Sequence, residues 1–404
     1  MNSKLIPAVF LLWAATAAPG TPPAVSNIRA SARPGSKLVD IRYDLAYSGG
    51  KNLAVGILVS TDNGATYTLP ASSFSGEGYG GGVSPGTDKR IVWDAATDWS
   101  GAYSSSVRFQ VLAREVPEAM AFIPAGPFDM GDTLHEGNGN ESPVHKVYIG
   151  AFYMDRYDVT KSMWDGVYGW AVQHGYAFEN AGSGKAPNHP VETVNWYDAA
   201  KWCNARSEKE GLAPAYYTDE KHTGVYRSGQ ADMTNAHVDW AADGYRLPTE
   251  AEWEKAARGG ASGHRFPWTD SDTISHSRAN YYSSNRNSYD VSPTRGYNPA
   301  FHDGVYPFTS PVGYFPPNGY GLYDMAGNLW QWCWDWYDAA WYANPAASEK
   351  DTHGPNSGPK NAFRVMRGGA WHRAANFARW AHRGMDAPDL GWIVFGFRCA
   401  RGFS

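Results

Sequence analysis

The sequence predicts an all-β N-terminal domain followed by a larger, loop-rich α+β domain. Three observations predict it. Short alternating apolar runs between residues 38 and 113 are separated by Gly/Ser/Pro/Asp turns, with no helical period between them. Beyond residue 120 only two segments carry helix-start signals, set among long Gly/Pro/Asn loops and short strand-like pieces. Composition agrees: 15% of residues are aromatic and 19% charged, with 44 Gly and 26 Pro. That is neither a helical bundle nor a disordered chain. At about 150 residues per domain, 404 residues allow two or three domains.

Residues 1–17 read as a secretory leader. Lys4 supplies the positive start, Leu5–Ala15 the apolar run, and Ala15-Thr16-Ala17 the small-residue exit. The run is shorter than the roughly 20 residues a membrane span needs, and no later stretch is long enough. Export to a periplasmic, cell-surface or extracellular destination is therefore expected, where disulfides are chemically allowed. The 35 Lys+Arg nearly balance the 40 Asp+Glu, giving −5, and no like-charge block appears. A nucleic-acid partner is not expected.

Residues 24–115 are expected to form a small immunoglobulin- or fibronectin-like sandwich. Its strands are Leu38–Tyr47, Leu53–Ser60, Arg90–Ala95 and Ser106–Ala113. The turn from Ser60 to Tyr67 resembles an Asp-box, in which Asp62 ties down the loop and Gly64 takes a positive φ. Nothing in this segment assembles a reactive site. After the polar junction Arg114–Glu118 the chain turns rich in Trp, Tyr, His and Gly. One helix is expected from Asn195 to a Gly211 stop, and another from the capping box Thr249/Glu252 to Gly259.

The second part carries a series of distinctive strings. They are FIPAGPFDMGD (Phe122–Asp132), HPVETVNWYDAAKWCN (His189–Asn204) and GYRLPTEAEWEKAARGG (Gly244–Gly260). Then come PVGYFPPNGYGLYDMAGNLWQWCWDWY (Pro311–Tyr337), RVMRGGAW (Arg364–Trp371) and FGFRCARG (Phe395–Gly402). Together these resemble the sulfatase-modifying-factor family, whose founding member is the formylglycine-generating enzyme. The resemblance implies a C-type-lectin-related α+β domain over residues 119–403, often carrying calcium.

The family's oxidase holds copper(I) with two cysteines shortly after an RGGSW-like motif. Here the stretch Ala370–Arg398 has no cysteine, and none lies between Cys333 and Cys399. Ala375 or Asn376 and a residue near Ala370 stand at the matching positions. Linear thiolate coordination of a soft ion has no obvious substitute among harder ligands, so copper and formylglycine synthesis by that route are not expected.

The resemblance also places the three cysteines. Cys203 and Cys399 match a family disulfide, and a second one is lost at both ends, Ala257 and Trp380. Cys333 remains as a buried thiol among tryptophans. The calcium ligands carried over are Asn280, the Tyr281 carbonyl, Asp303 and the Val305 carbonyl for one site. For the other they are Asp324, the Gly327 and Leu329 carbonyls, and Gln331. Oxygen sets of this mixed kind suit Ca2+.

No HExxH or HxxxHxE motif offers a competing metal centre among the 12 His. His372 and His382, with Arg373, Arg379 and Arg383, are candidates for a groove or for structural pairing. Trp330, Trp332, Trp334 and Trp336 alternate on one face of an extended segment, where buried packing outweighs sugar stacking. The family's groove lies beside the segment after RGGAW, so Trp371, His372 and Arg373 are the candidate ligand residues. The reading that leads is an exported member of the family, non-catalytic or differently catalytic, that binds a peptide, protein or glycan. Its alternatives are a sulfatase activator using unfamiliar chemistry and a C-type-lectin-like ligand-display protein.

Overall fold

The computed structural model describes residues 21–99, 105–358 and 362–403; the expected leader lies outside them. The described chain divides into two units, residues 21–69 with 73–115, and residues 70–72 with 116–403.

The first unit contains β1 (Ala24–Ala32), β2 (Leu38–Ala46), β3 (Leu53–Ser60), β4 (Phe74–Ser75), β5 (Gly80–Gly81), β6 (Gly86–Asp94), the single turn α1 (Ala95–Asp98) and β7 (Arg108–Glu115). They form two antiparallel sheets, ordered β1-β2-β6-β4 and β5-β3-β7. Alternation decides the inner face: Ile41, Tyr43 and Leu45 on β2 are buried, with Ile91 and Trp93 on β6. In the Asp62 turn, Oδ1 accepts from the Thr66 N–H at 2.8 Å, Oδ2 from the Thr66 hydroxyl at 2.6 Å, and Gly64 has φ +90°.

The second unit starts with β8 (Met120–Ile123), β9 (Gly126–Met130), β10 (His145–Ile149), β11 (Phe152–Asp155) and α2 (Lys161–Ala171). It continues with α3 (Trp196–Lys209), β12 (Tyr245–Arg246), α4 (Glu250–Arg258), β13 (Trp330–Trp336), β14 (Arg364–Arg367), β15 (Gly384–Asp386), β16 (Phe395–Gly396) and β17 (Ala400–Gly402). One sheet runs β12-β17-β11-β8, so both ends of the unit meet beside β11. The other runs β15-β14-β13-β16, with β16 parallel to β13.

Helix α3 is capped by Asn195 Oδ1, which accepts from the Asp198 N–H at 2.8 Å. Helix α4 has the reciprocal Thr249/Glu252 capping box and ends on Gly259 at φ +59°. Helix α2 was not foreseen; Thr160 caps it, and Trp164 stacks on Trp202 of α3 with centroids 5.9 Å apart. All residues of β13 and α4 are buried, and around them lies a core that includes Trp253, Cys333, Val365 and Trp380. Among the described residues no helix is long and apolar enough to cross a membrane.

Candidate functional site

The segment expected to border a groove leaves β14 through Gly368 and Gly369, at φ +93° and +74°. A Cβ on Gly369 would stand 2.7 Å from the Phe377 carbonyl oxygen, so glycine lets residues 369–377 fold back on themselves. The Trp371 N–H then donates to the Asn328 carbonyl at 2.9 Å, and the Arg373 carbonyl accepts from the Tyr282 N–H at 2.8 Å.

Trp371 is buried, its indole packed against Phe308, Tyr297 and Tyr306 at centroid distances of 5.2, 5.6 and 5.6 Å. His372 is half-buried and Arg373 is exposed, its guanidinium over the Phe377 ring at 5.3 Å. Trp371 Nε1 and His372 Nδ1 are buried without a hydrogen-bond partner. Burial, and then the Arg373 charge, push the His372 pKa down to about 4. Tyr282 and Tyr306 are exposed beside them.

The other charged groups near this segment are committed to one another. Arg367 reaches Glu250 at 3.1 Å and Glu254 at 2.5 Å, Arg383 binds both oxygens of Glu250 at 2.8 Å, and Arg258 binds Glu254 at 2.6 Å. Arg379 pairs with Glu141 at 2.9 Å, and His382 Nδ1 lies 3.4 Å from the same carboxylate. These buried groups hold the domain together rather than face a ligand. The tryptophan row is likewise internal. Trp332, Trp334 and Trp336 donate to Val194 O, Asn235 Oδ1 and Met233 O, and the Arg364 guanidinium sits 3.7 and 3.5 Å over the Trp196 and Trp336 rings.

Of the residues expected near the copper positions, Ala370 and Ala375 are buried and Asn376 is half-buried. None is a thiol, so the residues present do not fit copper(I). Cys333 is fully buried and its thiol is pushed up by burial, which makes it unreactive. Cys203 and Cys399 meet, as expected, but the expected disulfide is not formed. Their sulfurs stand 3.6 Å apart as buried thiols, well beyond the roughly 2.05 Å of an S–S bond.

The first calcium set does not converge. Asp303 Oδ1 and the Val305 carbonyl come together on Lys185 Nζ, at 2.7 and 3.0 Å. Asn280 Nδ2 donates to the Phe308 carbonyl at 2.8 Å, and the Tyr281 carbonyl faces His276 Nε2 at 3.2 Å. As arranged, with a lysine ammonium on two of its oxygens, this set does not suit calcium. Lys185 gave no signal in the sequence, lying 118 residues from Asp303.

The second set fits in part. Asp324 Oδ2 accepts from the Gly313 N–H at 2.8 Å, while its Oδ1 is buried and unpartnered. Burial pushes the Asp324 pKa up to about 6. Gln331 departs from the expected role, because its Oε1 already accepts from Trp253 Nε1 at 2.6 Å and Arg398 Nε at 2.8 Å.

Two clefts stand out among the described residues, and neither is lined by Trp371, His372 or Arg373. One, of about 480 Å³, is lined by Trp268, Arg278, Phe315 and Asn318 and reaches Asp324. The other, of about 390 Å³, is lined by Trp240, Arg246, Glu252, Asp351 and His353.

This arrangement has known counterparts. The chain is similar to the formylglycine-generating enzyme of Thermomonospora curvata, 33% identical over 316 residues, which covers 71% of this chain and 94% of that one. It is 33% identical over 302 residues to the serine/threonine-protein kinase pkn1 of Chlamydia caviae. That match takes in 74% of this chain but spans only 40% of the kinase. Among solved structures, Treponema denticola variable protein 1 superposes with a TM-score of 0.51 at 28% identity, over 70% of this chain and 94% of that one. The sulfatase-modifying factor enzyme 1-like domain, FGE-sulfatase, matches residues 108–403. The chain belongs to the sulfatase-modifying-factor family.

Proposed function

We propose that this chain is an exported, non-copper member of the family that serves as a binding module for a peptide or glycan. The observation that carries the reading is the thiol-free stretch between Cys333 and Cys399, which holds the segment after the RGGAW motif. The binding surface is the exposed edge around Trp371, His372 and Arg373. The exposed Arg373 guanidinium supplies a charged donor there, and Tyr282 and Tyr306 supply exposed faces for stacking. The leader at residues 1–17 supports export, and residues 24–115 are read as an immunoglobulin- or fibronectin-like sandwich that carries the domain. Calcium binds at the second site through Asp324, whose buried, unpartnered oxygen supports it.

The test is direct. Incubation with Cu(I), O2 and a Cys-x-Pro-x-Arg peptide gives no aldehyde by mass spectrometry. Aldehyde at the turnover of a two-cysteine family member refutes the reading and restores the oxidase alternative. Binding is checked by screening the protein and its Trp371→Ala and Arg373→Ala variants against peptide and glycan libraries; hits unaffected by both substitutions move the surface elsewhere.

A further inference from the structure

The loop from Asp303 to Phe308 holds two of the four groups expected at the first calcium position, and both face a positive charge that belongs to the chain. Lys185 Nζ donates to Asp303 Oδ1 at 2.7 Å and to the Val305 carbonyl at 3.0 Å, and it lies 5.8 Å from the centre of the Phe308 ring. The Val305 N–H closes back onto Asp303 Oδ1 at 3.1 Å. We propose that Lys185 is the resident cation of this position: its ammonium takes the part expected of calcium, and the loop closes without metal there.

The chemistry of the set supports the exchange. A carboxylate oxygen, a main-chain carbonyl and an aromatic face together satisfy an ammonium. Calcium requires six to eight oxygens. Of the two remaining expected ligands, the Tyr281 carbonyl faces His276 Nε2, and the Asn280 amide is held by its Nδ2 donating to the Phe308 carbonyl. A divalent ion sharing the Asp303 and Val305 oxygens would lie within about 4 Å of a fixed positive charge, which disfavours its entry. The Lys185 side chain is only 19% exposed, so it is held in place rather than waving in solvent.

The exchange has a structural effect beyond charge. The pinned loop carries Tyr306 and Phe308 against Trp371, at 5.6 and 5.2 Å. Lys185 therefore sets the cover over the candidate surface, independent of the calcium supply.

Calcium bound per chain after equilibrium dialysis tests the proposal, together with melting in chelator. Asp303→Asn leaves the bound calcium unchanged. In chelator Lys185→Met melts about 1 °C below the native protein, while Lys185→Arg keeps the native value. Loss of one calcium ion per chain in Asp303→Asn overturns the proposal, and so does a Lys185→Met variant that melts with the native protein. If Lys185→Met gives no folded protein, the Asp303→Asn dialysis decides alone.

Discussion

Arg367→Met is the substitution whose consequence the structure defines best. Arg367 is fully buried and spans two carboxylates, Glu250 at 3.1 Å and Glu254 at 2.5 Å, while donating to the Trp380 carbonyl at 2.5 Å. Methionine fills much of the volume and removes the charge. Breaking a buried ion pair typically costs 3–5 kcal/mol. Glu250 keeps Arg383 and Glu254 keeps Arg258, so about 3 kcal/mol is expected, or roughly 5 °C in Tm for a unit of this size. Tryptophan fluorescence reports the right unit, because all but Trp13, Trp93 and Trp99 of the 18 Trp lie beyond residue 115.

The pH profile adds a second readout. Burial alone would raise Glu250, but Arg383 and Arg367 overcome it and hold the carboxyl below its ordinary value. A depressed carboxyl contributes stability that is present above the unfolded pKa and is lost as pH falls through the folded one. Without Arg367 that loss begins at higher pH. A variant within 1 kcal/mol of native at neutral pH, with an unshifted acid limb, would show that the network is not what holds this region.

Gly369→Ala should destabilise by about 1–3 kcal/mol, since φ is +74° and the new Cβ meets the Phe377 carbonyl at 2.7 Å; an unchanged denaturant midpoint refutes the tight turn. Oxidation of the folded protein should join Cys203 to Cys399 and leave Cys333 free, lowering the mass by about 2 Da; three titratable thiols after treatment exclude the pairing. His372 should stay neutral across neutral pH, its pKa near 4. A lowered histidine makes stability rise with pH between its folded and unfolded values, roughly 4 to 6.5, and His372→Asn should flatten that rise. An NMR titration midpoint near 6.5 would count against it. Asp324→Ala should abolish calcium stabilisation of the second unit; a chelator-sensitive melt that survives the substitution places the ion elsewhere.

Much of the fold was legible where local chemistry specifies it. The caps of α3 and α4 are spelled in consecutive residues, and β2 alternates because one face is buried. Helix α2 was hidden because Gly166 and Gly169 dilute its propensity, and its stability comes from Trp164 meeting Trp202. Strand β1 was hidden because almost all of it is exposed, which leaves no apolar period to read. At the candidate site the sequence offered Trp371, His372 and Arg373 as neighbours along the chain, but not their unequal burial, which depends on a loop some 65 residues earlier. The expected ligand sets meet distant side chains that the sequence did not signal: Lys185 at Asp303, and Trp253 with Arg398 at Gln331. Such pairings carry no local pattern.

Helix α4 has no solvent-facing side: all 9 residues, Glu250 to Arg258, are buried. Its acids find their arginines late in the chain, Glu254 with Arg367 at a separation of 113 residues and Glu250 with Arg383 at 133. A nascent chain that has only reached Tyr337 therefore holds a helix in which Glu254 has Arg258 and Glu252 has Arg246, but Glu250, if packed, would lack both of its arginines. The full charge network of α4 is complete only once Arg367 and Arg383 have been made. Removing the chain from Arg383 onward takes away the second half of that handshake along with β17, and leaves Glu250 with Arg367 alone.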